Sequence, residues 1–385
     1  MITASAVQKL RPSYIREILS ASQSDGVISF AGGLPATESF PLDLMQQAFS
    51  DLTQHSGLFQ YAQAQGYPPL LQHLKQSYGV IESHDLLMTS GSQQGLDLIA
   101  RGFLNPGDKV VVEYPSYLGA LQVFQLAQAE LLTVPQLSQG PDLVKLQQLF
   151  ATGNVKFFYL IADFHNPTGI SYSLEIRQGI AKLCRQYQVT IIEDAPYREL
   201  RFRGETLPMV SSFYPQGSIV LRSFSKIACP GMRLGLIEAP KEWIQQLIKV
   251  KQISDIHLNS VLQYVLLQLL THPEFSEHLL KLRQLYRGRH DLMLGQIQAT
   301  MGDQVTVKPV SGGMFLWLTL NAAGPVDMLN LAEKALEAGV AFVPGTVFTP
   351  QQDGLNANCR LNFSHCGEED ICIGIGRLAK LIKQQ

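Results

Sequence analysis

The sequence predicts an α/β fold: a large domain with a mostly parallel, mixed sheet flanked by helices, and a smaller α+β domain beside it. Three observations carry this expectation. First, the middle of the chain alternates short β-rich runs (KVVVEY from Lys109, KFFYLI from Lys156, VTIIE from Val189, SIVLRS from Ser218) with helical stretches such as QQGLDLIARGFL and SLEIRQGIAKLCRQY. That alternation is the pattern of a parallel sheet covered by helices. Second, beyond about Pro240 the pattern is long and helical through Gly302, then mixes strands and helices and ends in GIGRLAKLIKQQ, which reads as the smaller unit. Third, 385 residues are more than one hydrophobic core usually supports.

Composition narrows the function. Hydrophobic residues make up 46% and charged residues 16%, which describes a chain that buries much of itself and has few surface charges to spare. A formal charge of −2, with Lys and Arg spread along the chain, gives no footprint for nucleic acid or an anionic membrane. The N-terminus MITASAVQKLRPSYIREIL lacks a signal-peptide core, and no apolar run is long enough to span a bilayer, so the cytoplasm is the expected location. The five cysteines form no C-x-x-C pair and imply neither a disulfide framework nor a metal site. No repeat or flexible linker interrupts the chain.

Ligands of open α/β sheets sit outside the carboxyl ends of the strands. In the large domain, polar residues at those ends are therefore the candidates for chemistry. In SGSQQGLDL, Ser90, Gly91 and Ser92 open a helix whose free N–H groups favour a dianion, with Ser92 and Gln93 as further donors. Taken alone, Ser here is also an ordinary helix cap. In IIEDAPY the strand ends on Asp194 at the buried bottom of a pocket, where an unpaired carboxylate is costly and a protonated ring nitrogen would relieve it. Tyr197 and Asn166 could reach a phenolic oxygen on such a ring. Asp194 also reads as a helix cap, and Asn166 as a turn residue before Pro167. Lys226 follows Ser223, Phe224 and Ser225, and Arg233 lies in a glycine-containing turn just beyond, an arrangement that suits a phosphate clamp beside a reactive amine. Tyr117 in PSYLGAL is placed to stack on a ring face, or to fill the core. Phosphate, ring nitrogen and amine together point to pyridoxal 5′-phosphate (PLP).

Nearly end to end, the chain resembles the class I/II aminotransferases of PLP fold type I, the aspartate-aminotransferase-like fold. Within that family it is most similar to the branch of 2-aminoadipate and kynurenine/aminoadipate aminotransferases, which also includes the enzyme-like halves of MocR-type regulators. SFAGGLP, SGSQQGLDL, PSYLGAL, NPTG, EDAPYREL, SFSK, PGMRLG, GGMFLW, AFVPG and RLNFS occur in the family's order. The resemblance implies an N-terminal arm and part of the small domain over 1–45, a large PLP-binding domain over 46–285, and a C-terminal small domain over 286–385. It implies that Lys226 is the Schiff-base lysine and proton shuttle, Asp194 the partner of the pyridine nitrogen, and Asn166 and Tyr197 the donors to the phenolic oxygen. Ser92, Gln93, Ser223 and Arg233 become the phosphate cradle, with Tyr117 stacked on the ring. Arg360 takes the substrate α-carboxylate, and Gly33 closes over the substrate. Tyr61 reaches the phosphate of the neighbouring subunit, which makes the site composite across a homodimer. The chain departs from the family's commoner forms at His165, which precedes Asn166 where glutamine is frequent, and at Ala195 after Asp194. Neither removes a catalytic group.

The reaction expected is transfer of an amino group between an L-amino acid and a 2-oxo acid by a ping-pong cycle. Arg16, in PSYIREIL, resembles the arm arginine that reads a side-chain carboxylate, which makes 2-oxoglutarate and glutamate one expected pair. It reads equally as an exposed charge on an amphipathic helix, and Tyr14 and Ile15 beside it suit aromatic or aliphatic partners. A PLP-dependent lyase or decarboxylase on the same fold is the alternative, because fold does not fix reaction. A non-catalytic PLP-sensing module is a further one, although SFAGGLP beginning at Ser29 leaves no room for a DNA-binding domain ahead of it.

Overall fold

The computed structural model describes residues 3–8, 10, 18, 26–322, 324, 326–351 and 353–384. After a short strand β1 (Ile28–Ser29) the chain lays down a large sheet: β2 (His84–Thr89), β3 (Lys109–Tyr114), β4 (Glu130–Leu137), β5 (Gly140–Pro141), β6 (Val155–Leu160), β7 (Thr190–Asp194), β8 (Ser218–Ser223) and β9 (Gly235–Pro240). Its order is β2-β9-β8-β7-β6-β3-β4-β5. The pairings β4–β3, β3–β6, β6–β7 and β7–β8 are parallel, whereas β9 runs antiparallel to both β8 and β2. Two reversals restore direction, so β2 points the same way as β8. The carboxyl ends of β2, β3, β6, β7 and β8 therefore share one edge.

Side chains alternate between the two faces of each strand. Phe157, Tyr159, Ile161, Ile192, Ile219 and Leu221 pack into the main core, and Val111, Phe158, Leu160 and Ile191 into a second core on the other face. Each such apolar side chain contributes about 1.5–3 kcal/mol when fully buried. Stepping two residues from Ile192 and Leu221 puts Asp194 and Ser223 on the main-core face at the carboxyl edge. There the run of apolar residues gives way to polar ones, and the chemistry begins.

Helix Gly91–Phe103 lies against this face. Gly91 has φ +75°, a left-handed conformation natural to glycine, and a Cβ there would come 3.0 Å from Arg233 Nη2. The turn that opens the helix can thus lie directly against Arg233. As the long helical pattern after Pro240 implies, helices Lys241–Asp255, Ser260–Thr271 and Phe275–Met301 follow in succession. Among the described residues no helix is long and apolar enough to cross a membrane.

A second, antiparallel sheet is formed by β10 (Val305–Val307), β11 (Phe315–Leu320), β13 (Val343–Pro344) and β14 (Asn358–Asn362), in the order β10-β11-β14-β13. The remaining strand, β12 (Val340–Ala341), pairs in parallel with β1. Phe30 N donates to Ala341 O and Asn362 N to Phe30 O, both at 2.8 Å, which fastens the segment leading to Gly33 beside β14 and its Arg360.

Candidate active site

A cavity of about 410 Å³ opens at the carboxyl edge of the large sheet. Gly33, Ser92, Gln93, Tyr117, Asn166, Asp194, Tyr197, Ser223, Lys226, Arg233 and Arg360 all line it. Residues up to 327 positions apart in sequence, Gly33 and Arg360, are brought together as the sequence reading expected. Tyr61 is not among them: it is 79% exposed and stands edge-on to His257 with ring centroids 5.7 Å apart. Arg16, with Tyr14 and Ile15, lies outside the described residues.

Asp194 is buried at the end of β7. Its Oδ2 accepts a hydrogen bond from Tyr159 Oη at 2.9 Å, and its Oδ1 has no partner. Burial pushes the carboxyl up to about 7, and the Tyr159 hydrogen bond holds it back. Tyr197 and Asn166 meet beside it, with Asn166 Nδ2 3.4 Å from Tyr197 Oη. Asn166 Oδ1 accepts from Arg360 Nη1 at 2.7 Å, while Arg360 Nη2 donates to Ala31 O at 2.5 Å and Nε has no partner. The guanidinium lies over Phe315 and Phe348, 4.3 and 5.0 Å from the ring centroids. Burial lowers its pKa to about 10, which still leaves it a cation at neutral pH. The acceptors it meets are neutral, so its charge is solvated but not cancelled.

Lys226 closes the short turn after β8, and its Nζ donates to Gly33 O at 2.7 Å. Burial, then the positive charges of Arg233 and Arg360, lower this amine to about 8. At neutral pH a useful fraction is therefore uncharged. Arg233, itself at φ +51°, reaches back to Ser90 O at 3.4 Å. It thus stands at the start of helix Gly91–Phe103, whose first N–H groups have no partner within the helix. Gln93 lines the cavity and also engages its neighbours. Its carboxamide accepts from Tyr117 Oη and donates to Gly119 O, both at 3.1 Å, so it holds Tyr117 in place and keeps its second amide N–H and its backbone N–H as donors.

The loop carrying Asn166 is fastened on both sides. Asp163 accepts from Arg177, Arg198 and Arg201 at 2.7, 2.6 and 2.9 Å. His165, whose role the sequence left open, is buried with Nε2 3.0 Å from Glu113 Oε2 and Nδ1 3.0 Å from Thr168 Oγ1. It anchors the loop and does not line the cavity. Tyr159, Ile161 and Gln122 border or support the site without having been singled out in the sequence, whereas Ser225, which also lines the cavity, was named there as a residue just ahead of Lys226.

PLP fits this donor set. A pyridinium N–H would satisfy the orphaned Asp194 Oδ1, the helix start with Arg233 suits a phosphate, and a partly neutral amine stands between them. Fold and site together define an enzyme of PLP fold type I. The profile of the family "Aminotransferase class I and II" matches residues 25–378, and the chain belongs to that family. It is a PLP-dependent aminotransferase. It is 38% identical to aromatic-amino-acid aminotransferase 1 of Thermococcus litoralis over 98% of this chain and 93% of that one. It is 37% identical to 2-aminoadipate transaminase of Thermus thermophilus, over 97% and 95%. Among solved structures it superposes on an alpha-aminoadipate aminotransferase of Thermus thermophilus complexed with N-(5′-phosphopyridoxyl)-L-leucine. The TM-score is 0.92 at 35% identity, over 99% of this chain and 97% of that one.

Proposed function

We propose that the enzyme transfers an amino group between an L-amino acid and a 2-oxo acid in two half-reactions, with glutamate and 2-oxoglutarate as one pair and an aminoadipate-like, aromatic or aliphatic amino acid as the other partner. One observation carries this reading: the cavity holds two buried ionisable groups with no charged partner, the Asp194 carboxyl with its free oxygen and the Arg360 guanidinium, with the Lys226 amine lining the same space. The first suits the cofactor's ring, the second a substrate carboxylate. The names of the relatives, which span aromatic and aminoadipate donors, support the range of partners.

When bound, PLP supplies an aldehyde carbon and a cationic ring that withdraws electron density from a substrate Cα. Asp194 keeps the ring nitrogen protonated, and Asn166 and Tyr197 donate toward the phenolic oxygen. Ser92, Gln93, Ser223 and Arg233 would hold the phosphate, and Tyr117 would cover the ring face. Arg360 binds the substrate carboxylate as a bidentate pair and so fixes which Cα bond faces Lys226. Lys226 Nζ would take the proton from Cα and deliver it to the cofactor's aldehyde carbon, across the amino nitrogen that is transferred. Product analysis tests the reading. A panel of amino donors with 2-oxoglutarate should give glutamate and the matching 2-oxo acid in equal amounts. Ammonia or carbon dioxide as the main product would contradict it.

The active unit we propose is a cytoplasmic homodimer in which Tyr61 serves the partner's phosphate. Phe59, Tyr61, Ile253 and Ile256 are exposed, and the Tyr61–His257 contact joins the first pair of positions to the segment bearing the second. Such a patch seeks cover. Mixing Tyr61→Phe subunits with Lys226→Ala subunits should create one site per heterodimer with an intact lysine and an intact borrowed tyrosine, restoring PLP affinity there. Absence of recovery after verified subunit exchange would show that Tyr61 does not act across an interface.

A further inference from the structure

Tyr159 lies outside every motif that the sequence reading used. It sits in the apolar run of β6, is fully buried, and packs edge-on against Phe124 with ring centroids 5.8 Å apart. Its hydroxyl donates to Asp194 Oδ2 at 2.9 Å, while Asp194 Oδ1, also buried, has no partner. We propose that Tyr159 is a positioning residue for the cofactor: by holding one oxygen of Asp194 it turns the other toward the ring nitrogen and keeps the carboxylate ionised there. This rests on the assignment of Asp194 to that nitrogen.

A carboxylate at the end of a strand turns in a broad, roughly two-fold torsional well and by itself presents either oxygen. One fixed donor removes that symmetry. The phenol suits the task because burial, reinforced by the Asp194 charge, pushes its ionisation far up, so it remains a donor at any working pH. A hydrogen bond to the charged form also favours that form, and it opposes the burial that raises Asp194. Tyr159→Phe removes a single oxygen and leaves the ring packing against Phe124. The carboxyl then drifts toward its neutral form, and its bond to the ring nitrogen changes from charge-assisted to neutral, which is roughly half as strong.

The test compares dissociation constants of two probes for cofactor-stripped protein at neutral pH: PLP, and its 1-deaza analogue, in which a C–H replaces the ring nitrogen. Wild type should hold PLP roughly ten- to a hundredfold tighter than the analogue, as expected for a hydrogen bond between charged partners. Tyr159→Phe should lower that ratio about tenfold through loss of PLP affinity, leaving the analogue's affinity near its wild-type value. Phe124→Leu, which loosens the ring's packing and keeps the hydroxyl, should leave the ratio unchanged. 3-Fluorotyrosine incorporated at position 159 makes a stronger donor in the same ring and should keep the ratio at or above wild type. If wild type discriminates but Tyr159→Phe discriminates equally well, the inference is wrong and the assignment of Asp194 stands. If wild type does not discriminate, the assignment of Asp194 falls and the inference falls with it.

Discussion

Lys226→Ala should lower turnover about 10²–10⁴-fold, the contribution typical of a positioned acid–base group, while PLP still binds. The reason lies in how the site divides its labour. On the proposed assignment a helix start and Arg233 would hold the phosphate, and Asp194 with its neighbours the ring, none of which needs the lysine. What the lysine adds is an amine lowered to about 8 and directed by its bond to Gly33 O. Removing it takes away both the attachment to the aldehyde and the base that handles the Cα proton. Stopped-flow turnover with a saturating donor, together with equilibrium dialysis of PLP, separates the two effects. The wild-type amine also sets a pH dependence: loading of stripped enzyme should accelerate as pH rises through about 8, because only the deprotonated amine attacks a carbonyl. Retained turnover in Lys226→Ala would remove the residue from its role.

Asp194→Asn should slow Cα–H cleavage by roughly 10²–10³-fold, the usual loss when one preorganised electrostatic partner is removed, with a smaller effect on cofactor affinity. Asparagine keeps the shape and a hydrogen-bonding oxygen but cannot balance a cationic ring. A donor deuterated at Cα should show a larger isotope effect in the variant, because proton removal then limits the rate. The same substitution has an opposite effect on the cofactor-free protein. Burial raises the folded carboxyl to about 7, so the ionised form destabilises the empty fold. Above about pH 7 that penalty is fully present, and it fades as pH falls toward the unfolded carboxyl range near 4. Cofactor-free Asp194→Asn should therefore melt at a higher temperature than wild type at pH 8, and the gap should close in acid. Equal isotope effects and equal melting curves would reduce Asp194 to a strand cap.

Most of this site was legible in the sequence because its groups must stand where strands end, and strand ends are local features. Ser92, Asn166, Asp194, Ser223 and Lys226 each follow a β-rich run or open the helix after one, so period and punctuation locate them. Tyr159 was not legible. In KFFYLI it is one more aromatic in a buried strand, and its value comes from the lateral register that sets Tyr159 beside Ile192 and so within reach of Asp194. The Glu113–His165 contact has the same origin, since β3 and β6 must first pair before their ends meet. β2 and β9 escaped the reading for another reason. DLLMT and GLIEAP are short apolar runs next to catalytic punctuation, and nothing local says that β9 reverses the sheet. Gln93 shows the limit for side chains: its place in the cavity was readable, but its engagement with Tyr117 and Gly119 depends on the turn into the next helix.

The most direct measurement is borohydride reduction of the purified holoenzyme followed by proteolysis and mass mapping. Before reduction the protein should absorb in the visible, and afterwards that band should be lost. The reduced phosphopyridoxyl group should appear on the single peptide containing Lys226, in the segment SFSK. A modified peptide centred on any other lysine, or PLP released unreduced from a protein that still turns over amino donors, would contradict the assignment of Lys226 on which the whole site is built.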